Sequence, residues 1–196
     1  PQVTTMLQMY RDLWDKDAMP KLTQSDNGSN AGSAFQSGKV AFKNDGTFFI
    51  NGLNDVDFDW GVAPIPGSKS GDTASFAGGD NLAVPSGSKN KDGAWQFLKW
   101  ATGEQAQTVL ADGGVMPTRM DLLSKIYEPR DPRYKVFADA LAVGHCPYSG
   151  AENELINDPN GLWNIMNQEA VFGGSSIEAA QSKAQKASQA LLDKQN

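Results

Sequence analysis

Apolar residues recur every three to four positions through Val3, Met6, Leu7, Tyr10, Leu13 and Trp14. This stripe predicts an amphipathic helix at the start of the chain, with Pro1 in its first turn. Residues 15–30 are polar and broken by Pro20 and Gly28, so they read as a surface loop. Residues 31–37 form a short helical turn closed by Gly38 as a C-cap. Residues 39–43 alternate and predict a strand. After a turn at 44–46, Thr47 is placed to cap a short helix carrying Phe48, Phe49, Ile50 and Leu53. A second strand is predicted over 59–65, with Pro64 and Pro66 confining its end to an edge or exit.

The next stretch, 73–85, reads as two short extended segments flanking Gly78-Gly79. Residues 91–111 are helical, with Ala94, Trp95, Phe97, Leu98 and Ala101 on one stripe. Ala106, Val109 and Leu110 form another after a break at Gly103, and Gly113-Gly114 ends the run. Helices follow at about 120–127, 134–143 and 162–171, with prolines 129 and 132 between the first two and a long loop over 144–160. Gly173-Gly174 breaks the pattern, and Ser176 with Glu178 starts a final helix running almost to Asn196. There is no internal repeat.

Composition narrows the function. The 196 residues carry 17 Lys plus Arg against 23 Asp plus Glu, a net charge of −6, which argues against a nucleic-acid partner. Hydrophobic residues make up 39% of the chain, enough to bury a core. One cysteine, Cys146, excludes an internal disulfide framework, and one histidine, His145, excludes a two-histidine metal motif. No apolar run approaches the roughly 20 residues that span a bilayer. No cofactor signature is present: there is no P-loop, Rossmann or zinc motif. The acidic run 55–59 lacks the glycine and closing glutamate of a calcium loop. The opening residues carry no leader, and a helix starting at residue one is what a piece excised from a longer chain would show.

Four passages together resemble one family. Ala34-Phe35-Gln36-Ser37-Gly38-Lys39-Val40-Ala41-Phe42 is followed by Gly46-Thr47-Phe48. Trp60-Gly61-Val62-Ala63-Pro64-Ile65-Pro66-Gly67 comes next. Phe76-Ala77-Gly78-Gly79-Asp80-Asn81-Leu82-Ala83-Val84-Pro85 leads into the segment from Ala94 to Arg119. Last come Leu162-Trp163, Gly173-Gly174 and Ile177-Glu178-Ala179-Ala180. In this order they resemble the bacterial extracellular solute-binding proteins, the sugar-type receptors of ATP-binding-cassette importers.

The resemblance implies an α/β, periplasmic-binding-protein-like (type II) two-lobe fold, of which this chain is the helix-rich C-terminal half. It implies that 1–77 belongs to the C-terminal lobe, that 78–128 crosses into the N-terminal lobe, and that 129–196 returns. The implied partners are a small-molecule carbohydrate, the membrane permease subunits of the importer, and the missing N-terminal half of the same protein. The implied location is extracytoplasmic, periplasmic or lipid-anchored at the cell surface.

A sugar offers flat C–H faces and a rim of hydroxyls, so its site needs aromatic platforms and planar polar groups. Trp163 and Phe48 stand at family positions where a ring stacks on sugar; the alternative for Trp163 is a place in the helix core. Gly78 and Gly79 let backbone N–H groups approach a ligand and permit a positive φ, and Asp80 and Asn81 follow as hydroxyl partners; the alternative is a bend with a solvated polar pair. Arg119 can reach a hydroxyl, or form a surface ion pair with Asp121 or Glu104. Asn167 shares the face of Trp163 one turn on, and Tyr148 stands in the preceding loop as a lid residue. Trp14, Trp60, Trp95 and Trp100 read as packing residues.

Two other functions compete. A carbohydrate-active hydrolase would use acidic residues such as Glu152 and Glu154. A helical interaction module would use the long amphipathic final helix. His145-Cys146 reads as a loop pair rather than a nucleophile with its base, since chain neighbours rarely aim their side chains together.

Overall fold

The computed structural model describes residues 1–25, 32–146 and 149–194. In chain order, α1 is Gln2–Asp15, followed by a 3₁₀ turn at Lys21–Gln24, α2 at Ser33–Gln36 and a 3₁₀ helix at Thr47–Leu53. Then come β1 (Ile65–Pro66), β2 (Thr73–Phe76), α3 (Lys91–Ala101), α4 (Glu104–Asp112) and α5 (Met120–Leu122). A π turn at Leu123–Tyr127 and a 3₁₀ turn at Glu128–Arg130 lead to α6 (Pro132–Ala142) and β3 (Gly144–His145). A further π turn at Asn153–Asn157 precedes α7 (Leu162–Val171) and α8 (Ile177–Leu192). The chain divides into two compact units, 1–35 with 147–196, and 36–146.

In the first unit the α1 stripe turns inward. Leu7 is wholly buried with Met166, Ala170, Val171, Ile177 and Ala180, and Val3, Met6, Tyr10 and Trp14 pack around them. Trp14 meets Phe172 edge to face, with centroids 4.7 Å apart. Helix ends here are satisfied by side chains. Arg11 donates from Nε to the Ala170 carbonyl at 2.6 Å and from Nη2 to the Ser175 carbonyl at 2.9 Å. A cation placed there satisfies orphan carbonyls and suits the negative end of α7. At the head of α8, the Ser176 hydroxyl accepts from the Ala179 N–H at 3.1 Å, the cap the sequence predicts.

The second unit packs Ile50, Ala111, Leu122, Leu123, Ile126, Tyr127, Tyr134 and Ala138 into one core, with Trp60, Met116, Phe137 and Leu141 against it. Its sheet has the order β1-β2-β3. β1 and β2 are antiparallel, pairing Ile65 with Ala74 and Pro66 with Thr73. β2 and β3 are parallel, pairing Ser75 with Gly144 and Phe76 with His145. Asp131 caps α6 by accepting from the Arg133 N–H at 2.8 Å, and Pro132 occupies its first turn.

Several expectations need correction. Residues 39–43 form no strand, and Phe42 stands 94% exposed. Alternation supplies no ladder partner; Lys43 instead pairs with Asp45. The strand predicted over 59–65 shrinks to Ile65–Pro66, since the prolines 64 and 66 have no N–H to donate. Trp60 packs on the helical core instead. The segment after Gly79 is not a strand either. Gly46, not Thr47, precedes the 3₁₀ helix as its cap residue, with no side-chain cap. The loop predicted over 144–160 contains β3 and a π turn. Gly38 does turn with a positive φ of 71° just past α2. Residues 26–30 of the predicted loop, position 31 of the turn and the last two positions of the final helix lie outside the described residues.

Candidate ligand-binding site

Trp163 is the second residue of α7. The entry to that helix is closed by hydrogen bonds around Asp158. Its carbonyl accepts from Gly161 N at 2.7 Å and from Asn164 Nδ2 at 2.8 Å, while its carboxylate accepts from Asn160 N at 2.7 Å. The buried side of α7 carries Met166, Ala170 and Val171. Trp163 is not among the residues of that core and keeps 36% of its surface exposed. Asn167 lies one turn on, and its Nδ2 donates to the Trp163 carbonyl at 2.8 Å. The structure therefore joins Trp163 and Asn167 on one helix, although the Asn167 amide is engaged with the backbone. Tyr148 lies outside the described residues.

Phe48, in the other unit, is 73% exposed at the head of its 3₁₀ helix. Its ring rests over Gly46, where a Cβ would come within 2.5 Å of it. Gly78 plays the same part for Phe76: a Cβ at 78 would meet the Phe76 ring at 2.2 Å. Neither Gly78 nor Gly79 has a positive φ, and Gly79 faces open space. The positive φ that glycine permits is thus not used at this pair, and the space beside Gly78 is taken by the largely exposed Phe76 ring. Asp80 and Asn81 are exposed in the irregular stretch beyond.

Arg119 precedes α5 and forks onto Asp121, with Nε to Oδ1 at 3.0 Å and Nη2 to Oδ2 at 2.5 Å. The guanidinium holds the Asp121 carboxyl below the usual carboxylate range, and the carboxylate raises the arginine. No hydrogen bond, ion pair or ring contact among the described residues joins Phe48, Asp80, Asn81 and Arg119 to one another.

Three arrangements escaped the sequence reading. Arg133 lies 3.7 Å above the centroid of the Trp60 ring while its fork grips Asp131, Nη2 to Oδ2 at 2.6 Å. Arg133 keeps the Asp131 carboxyl low. The Asp131-Pro132 step, an N-cap followed by a first-turn proline, was the available signal. Gln107, only 2% exposed, donates to the Ala101 carbonyl at 2.8 Å and accepts from Thr118 N at 2.7 Å. Asn51 donates from Nδ2 to the Gly113 carbonyl at 2.5 Å. Nothing in the sequence singles out these two amides.

The residues read as packing tryptophans divide. Trp14 and Trp60 pack against cores, whereas Trp95 and Trp100 are 55% and 52% exposed on α3. Cys146 is an exposed free thiol, and the His145 backbone pairs with β2.

The profile of the bacterial extracellular solute-binding proteins matches residues 2–108. A maltotriose-binding protein of Pyrococcus abyssi is 25% identical over 168 residues, covering 76% of this chain and 36% of that protein. A diacetylchitobiose-binding protein of Streptomyces coelicolor is 29% identical over 189 residues, covering 90% of this chain and 42% of that protein. The chain thus spans about two fifths of the length of these relatives. With more than half of its length matched, the chain belongs to the bacterial extracellular solute-binding proteins, and its helix-rich body with a small sheet is consistent with part of the type II periplasmic-binding-protein fold that this family implies.

Proposed function

We propose that the full-length protein is an extracytoplasmic receptor that captures a neutral mono- or oligosaccharide between two lobes and delivers it to the permease of an ATP-binding-cassette importer. In this reading the chain is the C-terminal half. Residues 1–77 belong to the C-terminal lobe, 78–128 cross into the N-terminal lobe and 129–196 return. Ligand binding shifts an open–closed equilibrium, and the closed form is the one the permease receives.

The observation that carries the reading is aromatic surface left open at the two positions where the family resemblance expects a ring against sugar, Trp163 and Phe48. Stacking on C–H faces by exposed rings is how a protein holds a neutral, hydroxyl-rich solute without opposing charge. The names of the two relatives, one binding maltotriose and one diacetylchitobiose, support an oligosaccharide of glucose or N-acetylglucosamine type.

Calorimetry of the full-length protein against maltotriose, diacetylchitobiose and a wider sugar panel tests this, with product analysis of each mixture. Saturable binding with intact sugar supports the receptor. Cleaved sugar assigns a hydrolase instead. The full gene is expected to encode a leader, with or without a lipid-attachment cysteine, beside two permease genes.

A further inference from the structure

The helix Thr47–Leu53 has 3₁₀ geometry, so residues three apart share an edge. One edge, Ile50 and Leu53, is buried, and Ile50 enters the core that holds Tyr127 and Tyr134. A second edge, Phe49 and Gly52, is held by neighbours: Lys43 Nζ lies 4.5 Å from the Phe49 ring centroid, and Gln36 Nε2 donates to the Gly52 carbonyl at 2.7 Å. The third edge is Phe48 and Asn51. Its tether is the Asn51 Nδ2 bond to the Gly113 carbonyl. The next residue, Gly114, turns with φ of +79°, and a Cβ there would lie 2.5 Å from Asn51 Oδ1. A side chain at 114 would push the asparagine amide from its seat, and the positive φ there also favours glycine.

Apolar burial of Ile50 and Leu53 is non-directional, so the angle about this edge is set by the two oriented bonds, Gln36 to Gly52 on one side and Asn51 to Gly113 on the side of Phe48. A hydrogen bond has a preferred direction, which fixes that angle. We propose that Asn51, seated against Gly113 and Gly114, is a positioning residue that sets the angle at which Phe48 presents its ring to a bound sugar. The sugar rests on the receptor reading above; the positioning of the ring does not.

The test uses the full-length protein labelled with 4-fluorophenylalanine, with Phe48→Leu identifying the Phe48 fluorine line. Asn51→Asp keeps the shape and removes the donor, and Gly114→Ala crowds the amide from the other side. Both variants are expected to shift or broaden the Phe48 line without ligand and to weaken maltotriose or diacetylchitobiose binding about five- to tenfold, the scale of one lost oriented contact. Fluorine lines that match the unsubstituted protein in both variants overturn the proposal. A protein that binds no sugar of the wider panel overturns the receptor reading alone, because the fluorine line still decides on Asn51.

Discussion

The rings of Tyr127 and Tyr134 stack face to face, with centroids 4.3 Å apart and planes within 1° of parallel. Tyr127 is wholly buried in the core of the 36–146 unit, and its hydroxyl has no hydrogen-bond partner. The nearby Thr47 hydroxyl offsets part of the effect of burial without meeting hydrogen-bond geometry, and the phenol is pushed up to about 12.

The Tyr127 hydroxyl therefore contributes little at neutral pH. Tyr127→Phe keeps the stacked ring and removes an unsatisfied polar atom, so its stability should lie within about 1 kcal/mol of wild type or above it. Tyr127→Ala should cost about 3–5 kcal/mol, as emptied aromatic sites do. The raised phenol also fixes a sign. The folded state holds this proton after the unfolded chain has lost it near pH 10, so the unfolded state binds fewer protons between pH 10 and about 12. That share of stability is present below pH 10 and lost as pH rises toward 12, roughly 2–3 kcal/mol in all. Urea titrations of wild type and Tyr127→Phe from pH 7 to 11 should show the variant losing less.

Gln107 is a buried amide whose partners are the last carbonyl of α3 and the Thr118 N–H and hydroxyl. Gln107→Leu leaves these groups without their amide, at a cost of about 1–3 kcal/mol. Gln107→Glu keeps the acceptor for Thr118 and, while protonated, an O–H for the Ala101 carbonyl; it should be destabilised more at pH 8 than at pH 5, because ionising the buried carboxyl removes that donor and costs desolvation. Denaturation midpoints at the two pH values check this; equal midpoints would mean the side chain opens to water.

The helices were legible in the sequence and the strands were not, for a physical reason. The Val3–Trp14 stripe, the break at Gly103, and the Ser176 cap are local patterns, and each marks a real element. A strand needs a partner elsewhere in the chain, and nothing in residues 39–43 says that none arrives. Of the candidate site, α7 follows from the pattern; Phe48 is singled out by the family resemblance alone, and its exposure is a finding of the structure. The role of Gly78 does not follow from the pattern, because it depends on where the Phe76 ring folds back. Asn51 and Gln107 act across 62 and 11 residues, distances at which a lone amide leaves no sequence trace.

The glycine pair should divide under substitution. Gly78→Ala must displace the Phe76 ring, whereas Gly79→Ala enters open space at ordinary φ. The Phe76 ring is 64% exposed and can swing aside, so Gly78→Ala is expected to lose no more than about 1 kcal/mol, and Gly79→Ala to stay within about 0.5 kcal/mol. Thermal unfolding of the two variants distinguishes them; a larger loss at Gly79 would mean that something the ring contact does not include occupies that side.

Trp163 carries the ligand prediction. Trp163→Ala in the full-length protein should weaken sugar binding by about 1–3 kcal/mol, the usual scale for a truncated aromatic contact. Its partial exposure predicts little change in melting temperature. Unaltered affinity with a steep fall in melting temperature would reassign the ring to packing.

The last expectation concerns α3 and α4. Trp95, Phe97 and Trp100 are 55%, 56% and 52% exposed, and Val109 and Leu110 are 66% and 42% exposed. The Phe97 and Trp100 rings touch at 5.8 Å, so part of this surface is continuous. Contiguous exposed apolar surface is expected to be covered by a partner. If 78–128 crosses into the N-terminal lobe, the other half of the protein covers these helices. The 196-residue piece expressed alone should then self-associate, or exchange amide hydrogen rapidly over 91–112. Residues 80–85 are irregular and form no strand, so the apolar helices α3 and α4 are what drives association. Replacing Trp95, Phe97 and Trp100 by glutamine should restore a monomer. Light scattering coupled to size exclusion, with hydrogen exchange, decides: a monodisperse, uniformly protected monomer of the unsubstituted piece would show that α3 and α4 need no cover, and the proposed crossing would fall.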